Sequence, residues 1–349
     1  MEITTFTMIL VIRMISLSFC YKDGGEKVSD LLPEQVNKRI VEIPSVLEFL
    51  SYTYFCCTCL CGPFYDYMDY KRFIEEDGIY KKIPSTIIPS IKQFLKSKIC
   101  LVFTMAIGTY YWPDFCSSDE YQEFSFFYKV FYYYVAMTGK RFLYYVPWSL
   151  TDAAITACGL SYEGEDEKGK SKGFDGIYTV GLFGVELGIS PASMMISWNH
   201  MVHIWLKQYV YMRQVEKGKK PTFLNNMSVF AVSAFWHGFY PFYYIMLIFC
   251  AILSELSKEI FRARYFFRAI PWPLSTILAN VASMLMMNFW GICFSLLTLE
   301  KGYKFSKGCY FFPYWVILGL YIFMRAFNIA GIAAKLQKKD EERKKQKDK

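Results

Sequence analysis

The sequence predicts an all-α, multi-pass membrane protein. Its 349 residues are 54% hydrophobic and 19% aromatic, which is typical of a chain that crosses a bilayer repeatedly. Several apolar stretches reach the length of about 20 residues that a helix needs to span the hydrocarbon core. Basic residues sit mostly in short loops between these stretches and in the tail. Roughly six to nine membrane segments would account for the chain, with no separate soluble domain.

The membrane segments are defined by apolar runs between charged or Gly- and Pro-rich loops. Glu2 precedes the first run and Arg13 interrupts it, which is unlike a signal peptide, so the run is predicted to be a first transmembrane helix. Two further stretches, Tyr144–Leu160 and Ile177–Val210, are ambiguous. The predicted spans are Thr4–Cys20, Val46–Phe64, Ile87–Trp112, Phe124–Met137, Ser228–Ser254, Ala269–Leu299 and Cys309–Ala330.

The net charge of +8 reflects topology and does not indicate nucleic-acid binding. Lysine and arginine in short loops are the cytoplasmic bias of membrane proteins. Residues 1–334 are predicted to form a single transmembrane domain, and residues 335–349 a basic cytosolic tail. The cysteine-rich run 55–61 has no second cluster that would complete a metal site, so membrane packing or lipidation is favoured there.

The stretch 190–214 is predicted to be one helix. Ser190 is suited to its N-cap and Pro191 to its first helical position. Asn199 and His203 are four residues apart and share one face of such a helix. Aromatic and apolar residues recur along it at helical spacing: Trp198, Val202, Trp205 and Tyr209.

The uncharged run from Pro221 to Ser254 is predicted to enter the membrane and return. Basic segments on both sides of it are expected to be cytoplasmic, and the run is longer than one crossing needs. Gly238 and Pro241 break a helix immediately after His237. We therefore expect two helical pieces with His237 near their junction, inside the protein, where a bent backbone is tolerated.

His237 and Asn199, each beside a tryptophan in an apolar stretch, form the candidate catalytic pair. An intramembrane histidine is costly and marks a functional site by default, and imidazole suits proton transfer near neutral pH. The pair fits acyl transfer to a hydroxyl: the histidine takes the proton, while the asparagine orients the histidine or donates to the developing oxyanion. The alternative is an interhelical hydrogen bond that only holds helices together.

The two other histidines, His200 and His203, are three residues apart and together could reach a metal or a haem edge. No third strong ligand is evident nearby, so an interfacial or supporting role is favoured and no metal site is predicted. The sequence contains no Gly-x-Ser-x-Gly, His-Glu-x-x-His, phosphate-loop or dinucleotide motif. A covalent serine mechanism is therefore disfavoured.

These stretches resemble the membrane-bound O-acyltransferase family, in particular its lysophospholipid acyltransferase branch. The specific part is Trp198-Asn199 with Trp205-Leu206, followed by Ser-Ala-Phe-Trp-His-Gly-x-Tyr-Pro at residues 233–241. The resemblance covers essentially the whole chain. Further matching motifs are Leu17-Ser-Phe with Asp23-Gly24, Gly62-Pro63-Phe64, Arg141-x-x-Tyr144-Tyr145-x-x-Trp148 and Lys172-Gly173-Phe174-Asp175.

The resemblance implies a tunnel through a multi-helix core, with acyl-CoA entering from the cytosol and lysophospholipid from the bilayer or the lumenal side. His237 is then the base and Asn199 its partner. No cofactor is implied beyond acyl-CoA as co-substrate, because the thioester is already activated. Residues in the matching motifs are expected to bind substrate: Arg141, Tyr144, Tyr145, Trp198, Trp205 and Trp236. Four basic residues are candidates for the CoA phosphates, with positive-inside topology as the alternative: Lys207, Arg213, Lys219 and Lys220.

Two departures from the family pattern put substrate choice in doubt. Leu143 stands where the motif has a lysine, and Phe242 stands where a glycine commonly follows the proline, which is expected to narrow the tunnel beside His237. The chain also begins at a helix that is not the family's first, so one or two N-terminal helices are expected to be missing.

The tail carries Lys345 and Lys347, which fit a dilysine signal for the endoplasmic reticulum, with a merely solvated basic tail as the alternative. Two other functions remain open. One is a family member that acts on a sterol, diacylglycerol or protein acceptor. The other is a transporter or haem-binding membrane protein that uses the histidines. Membrane lipids are expected partners, and assembly into a homo-oligomer is left open.

Overall fold

The computed structural model describes residues 3–215, 219 and 222–347, without the side chains of Lys344 and Lys347. Regular structure in these residues is helical, apart from one isolated bridge between Glu165 and Ser171. The predicted all-α class is therefore confirmed.

The α-helices are numbered in chain order. Five short 3₁₀ or π segments lie between them, at Val28–Asp30, Gly78–Lys81, Pro113–Ser117, Leu206–Tyr211 and Arg264–Phe267, and the Leu206–Tyr211 segment is π-helical. The α-helices are α1 (Ile3–Gly24), α2 (Pro33–Lys38), α3 (Val46–Thr53), α4 (Tyr67–Ile74), α5 (Ile87–Gly108), α6 (Asp119–Glu123), α7 (Phe126–Cys158), α8 (Leu182–Glu186), α9 (Pro191–Ser197), α10 (His200–Trp205), α11 (Met212–Gln214), α12 (Phe223–His237), α13 (Pro241–Arg262), α14 (Trp272–Leu296), α15 (Leu299–Gly308), α16 (Phe312–Ala326) and α17 (Ile329–Lys347).

The chain separates into two compact units. The first comprises the described residues of Met1–Ala106, Arg141–Leu182 and Ser197–Lys220. The second comprises those of Ile107–Lys140, Phe183–Ile196 and Pro221–Lys349. The helix α17 begins before residue 335 and continues through it, so the predicted start of the tail falls inside a helix.

Two of the described helices, α1 and α14, are long and apolar enough to cross a membrane. The pair α15 and α16 gives a third if it is counted as one span bent by 78°. This is fewer than the roughly six to nine segments predicted from apolar length. The runs Val46–Phe64 and Ile177–Val210 are divided among short helices and turns, and α5 carries three lysines.

In the first unit, Arg13 of α1 is fully buried although it interrupts an apolar run. Its guanidinium donates to the carbonyl oxygen of Thr53 at 2.9 Å and to Oγ1 of Thr58 at 2.6 Å. The same group lies over the ring of Tyr65, 4.6 Å from the centroid. Burial of a charge is tolerated when such partners replace water. Arg13 therefore stabilises the segment that follows α3.

The core of the second unit is rich in aromatic rings from α7, α14 and α15. Phe289 is fully buried and stacks on Phe305 with ring centroids 4.8 Å apart, and Trp290 lies edge-on to Phe289 at 5.2 Å. Large rings dominate packing energetics because each buries a wide apolar area. The same core includes buried residues of α13, the helix that follows the candidate histidine.

The helices α12 and α13 form an antiparallel hairpin. Near its open end, Nδ2 of Asn226 donates to Oε1 of Glu255 at 3.0 Å. Both residues lie several helical turns from the break between the helices, so the chain must double back. The break occurs at Gly238, whose φ of 122° is open to glycine, and Pro241 begins α13. The predicted two helical pieces with His237 at their junction are confirmed.

The hairpin predicts that residues 215 and 258 face the same side of the membrane. Cysteines introduced at these positions, Val215→Cys and Lys258→Cys, are expected to react with a membrane-impermeant maleimide from one side of sealed microsomes. Phe239→Cys, at the 79% exposed side chain beside the hairpin turn, should need permeabilised vesicles. The unsubstituted chain, whose own Cys56 is exposed, gives the background. Labelling of 215 and 258 from opposite sides would refute the hairpin's placement in the membrane.

Candidate functional site

Asn199, in the first unit, lies in a break between α9 and α10, which corrects the prediction of one helix over 190–214. The N-terminal signals are confirmed, since Pro191 begins α9 and Oγ of Ser190 accepts from the amide of Ser193 at 3.2 Å. The helix then ends at Ser197, and Asn199 adopts a left-handed conformation with φ 44° and ψ 56°. Asparagine is among the few non-glycine residues that enter this region readily.

The turn at residues 197–200, here called the Asn199 turn, is held by the segment 178–181. The amide of His200 donates to the carbonyl oxygen of Thr179 at 2.7 Å. The His200 ring stacks on Tyr178, with centroids 4.4 Å apart and planes within 2°. The amide of Gly181 donates to the carbonyl oxygen of Ser197 at 3.0 Å. His200 is therefore placed to support the turn.

Trp198, on the other side of Asn199, packs into an aromatic cluster on α7. Its ring lies 4.9 Å from Trp148, 5.7 Å from Tyr144 and 5.8 Å from Tyr145. Trp148 is four positions from Tyr144 and three from Tyr145, so it projects from the same side of the helix as both. Three predicted substrate-binding residues are thus brought together in this unit, and Arg141 lies buried on the same helical face. Trp148 is part of the same aromatic cluster, since it contacts Tyr144 and Trp198. Its spacing of three and four residues from the two tyrosines could have indicated this.

Trp205 is placed differently from the other predicted substrate-binding residues. Its side chain is buried, and Nε1 donates to the carbonyl oxygen of Ile12 on α1 at 3.1 Å. The indole therefore packs α10 against α1. Its contacts are those of a residue that fixes helix position.

His237 is the last residue of α12, in the second unit. Its partly exposed ring is surrounded by aromatic rings: Trp236 at 4.9 Å, Phe294 of α14 at 4.9 Å and Tyr243 of α13 at 5.8 Å. The predicted neighbour Trp236 is thus in ring contact with the histidine. The candidate base lies at the turn of the hairpin, within the uncharged run from Pro221 to Ser254 and against apolar walls that limit its contact with water.

Phe242, expected to narrow a tunnel beside His237, points into the core of the second unit. It is 3% exposed, and its ring lies against Gly302 of α15 so closely that a Cβ added there would come within 2.5 Å of it. The larger side chain thus fills a space opened by that glycine. Leu143, the other departure, is 46% exposed on α7.

Of the basic residues considered for the CoA phosphates, Arg213 is already paired. Its two terminal nitrogens donate to the two carboxylate oxygens of Asp23 at 2.6 and 2.5 Å, and its guanidinium lies over the ring of Phe19, 4.8 Å from the centroid. Such a two-point ion pair fixes the side chain. Lys219 is exposed, and Lys220 lies outside the described residues.

Lys207, also exposed, lines an open pocket in the first unit together with Lys38 and Gln208. Lys38 forms an ion pair with Asp66 and donates to Oε1 of Gln208 at 2.8 Å. Burial alone would lower the pKa of Lys38, but the charges of Asp66 and Asp69 outweigh it and raise that pKa. The ammonium therefore stays protonated, but its charge is balanced by Asp66, so Lys207 is the exposed cation of this pocket.

Comparison with known proteins agrees with these motifs. A family model described as the membrane-bound O-acyltransferase family matches residues 1–299. "Lysophospholipid acyltransferase 2" of Arabidopsis thaliana is 32% identical over 321 residues, which cover 87% of this chain and 67% of that protein. "Lysophospholipid acyltransferase" of Schizosaccharomyces pombe is 28% identical over 97% of this chain and 69% of its own length. "Membrane-bound glycerophospholipid O-acyltransferase 2" of Gallus gallus is 28% identical over 87% of this chain and 61% of its own.

The chain belongs to the membrane-bound O-acyltransferase family. The resemblance seen in the Trp-Asn and Trp-His-Gly motifs is thereby confirmed. The chain spans about two thirds of the length of the relatives compared above.

Proposed function

We propose that this protein transfers a fatty acyl group from acyl-CoA to the free hydroxyl of a lysophospholipid. The observation that carries the proposal is the histidine at the turn of the hairpin α12–α13, within the uncharged run from Pro221 to Ser254 and walled by aromatic rings, in a chain of an acyltransferase family. The names of the relatives, which describe lysophospholipid and glycerophospholipid acylation, support the acceptor class.

In this proposal, His237 acts as a general base. The neutral imidazole takes the proton of the acceptor hydroxyl as the oxygen attacks the thioester carbonyl. The tetrahedral intermediate then expels the CoA thiolate, which recovers the proton from the imidazolium. The thioester supplies an activated acyl carbon, so we propose no metal ion and no cofactor besides the co-substrate.

Asn199 is proposed as the partner of His237. Its amide can donate to the oxyanion of the intermediate or to the imidazole. The left-handed turn at Asn199 is compatible with such a role, because strained backbone is concentrated at functional sites. The aromatic cluster of Trp198 with Tyr144, Tyr145 and Trp148 is proposed as an apolar wall for an acyl chain.

The cationic groups that we propose for CoA phosphates are Lys207 and Lys219. Arg213 is left out because Asp23 already engages both of its terminal nitrogens. Residence in the endoplasmic reticulum, with Lys345 and Lys347 as a retrieval signal, remains part of the proposal. The last two residues of that tail lie outside the described residues.

An acceptor panel tests the proposed reaction. Microsomes that contain the protein and lack endogenous acylation activity are supplied with radiolabelled acyl-CoA and, separately, with lysophospholipids, cholesterol, diacylglycerol or an acceptor peptide. We expect labelled phospholipid at a rate at least tenfold above vector-only microsomes. Labelling only of the sterol, the diacylglycerol or the peptide would assign another acceptor, and labelling of none would refute acyl transfer.

A further inference from the structure

A buried carboxylate on α7 contacts the segment that holds the Asn199 turn. Asp152 is fully buried, and its Oδ1 accepts from the amide of Thr179 at 2.7 Å. Its Oδ2 lies 3.9 Å from Nζ of Lys96 on α5, whose side chain is 25% exposed. A carboxylate without solvent needs such donors, and a hydrogen bond to an ionised acceptor is stronger than a neutral one.

Thr179 links this carboxylate to the candidate site. Its amide donates to Asp152, while its carbonyl oxygen accepts from the amide of His200. The residue before it, Tyr178, carries the ring on which His200 stacks. The segment 178–179 therefore connects Asp152 to His200, the residue that follows Asn199, through the Thr179 amide, the Thr179 carbonyl oxygen and the Tyr178 ring.

The Asn199 turn depends on surrounding contacts because a left-handed residue, even asparagine, interrupts the helix that its neighbours would otherwise continue. A left-handed conformation persists when surrounding contacts over-determine it. The aromatic cluster around Trp198 fixes one side of the turn, and Thr179 fixes the other. Without Asp152, the Thr179 amide would be buried without its acceptor, and the segment would be expected to shift toward another partner.

We infer that Asp152 is a positioning residue, which holds the Asn199 amide in its reactive orientation through the backbone of Thr179 and His200. This inference rests on the proposed function for the role of Asn199. Asp152 itself is not proposed to touch substrate.

The test compares Asp152→Leu, which removes the acceptor and keeps a side chain branched at Cγ, with Asp152→Asn, which keeps an oxygen acceptor for Thr179. Two experiments are made: steady-state kinetics, which give kcat and KM for acyl-CoA, and hydrogen exchange of peptides that contain residues 197–203. We expect Asp152→Leu to lower kcat at least tenfold with KM changed less than threefold, and to speed exchange at the His200 amide at least tenfold. Asp152→Asn should stay within about threefold of wild type in kcat and in exchange.

Ser149→Ala is the matched control. Ser149 lies one turn earlier on α7 and is equally buried, and its Oγ has no hydrogen-bond partner among the described residues. We expect it to leave both measurements unchanged. If Asp152→Leu fails to accumulate, the double variant Asp152→Leu/Lys96→Met removes the unpaired lysine and is measured in its place.

Several results would overturn the inference. Unchanged exchange at His200 in Asp152→Leu would show that the carboxylate does not hold the turn. An equal loss of kcat in Asp152→Leu and Asp152→Asn would also contradict the positioning role. So would a raised KM with unchanged kcat in Asp152→Leu. If wild-type protein shows no acyl transfer, the proposed function fails, and the exchange data alone then decide whether Asp152 holds the Asn199 turn.

Discussion

Replacing His237 with alanine is expected to lower the rate of lysophospholipid acylation by about 10²- to 10⁴-fold, the usual contribution of a general base. The imidazole is the group at the hairpin turn that can accept the hydroxyl proton near neutral pH. Its aromatic neighbours, Trp236, Tyr243 and Phe294, would remain in place. The measurement is the initial rate in microsomes without endogenous activity, normalised to protein level.

The control for this variant is Phe235→Ala on the same helix. Phe235 is 62% exposed and contacts Phe239 outside the histidine's surroundings. Its removal should leave the acylation rate within about threefold of wild type, as expected for a surface position away from the reacting atoms. Full turnover in His237→Ala would contradict the proposed mechanism even if the acceptor panel showed acyl transfer.

Replacing Asn199 with glycine is expected to lower kcat by about 10²- to 10³-fold, the range seen when one oxyanion donor is removed. Glycine is the informative substitution because it adopts a φ of 44° without strain, so the turn is kept while the amide is lost. Alanine removes the same amide but also disfavours the turn, which would confuse the two effects.

Two controls make this result specific. Thermal unfolding in detergent should show Asn199→Gly no less stable than wild type, whereas Asn199→Ala should unfold at a lower temperature. Asn199→Asp keeps the shape but replaces the donor nitrogen with an acceptor oxygen, so its loss of kcat should match that of glycine. An Asn199→Gly variant with wild-type turnover would show that only the backbone of residue 199 matters.

Local signals in the sequence were sufficient to predict the helical class and the hairpin. The break after His237 is indicated by Gly238 and Pro241, which act on their own backbone whatever surrounds them. The start of α9 follows from Ser190 and Pro191 for the same reason. The long apolar runs likewise predicted α1 and α14.

The break at Asn199 could not be predicted in this way. Its neighbours continue a helical pattern of aromatic and apolar residues, so periodicity favours an uninterrupted helix. The turn is stabilised by Thr179 and Trp148, which are 20 or more residues away along the chain. Contacts at such separation leave no local pattern.

The same limit applies to charge. In the sequence, Arg213 has the properties of a cation available to a phosphate. Its partner Asp23 is 190 residues away, so no local pattern indicates the ion pair. Only the folded chain shows that Asp23 occupies both terminal nitrogens of Arg213. Single basic residues in a membrane protein therefore say more about topology than about ligand contacts.

On the side that faces residues 178–181, the Asn199 turn is fixed by main-chain atoms: the amides of Gly181 and His200 and the carbonyl oxygens of Thr179 and Ser197. Peptide groups are the same in every residue except for the missing donor of proline. Over evolutionary divergence, residues 179 and 197 can thus change identity without loss of the turn. Family members that have diverged can therefore keep the geometry of this turn with other residues around the asparagine. A search that requires those residues would miss such members.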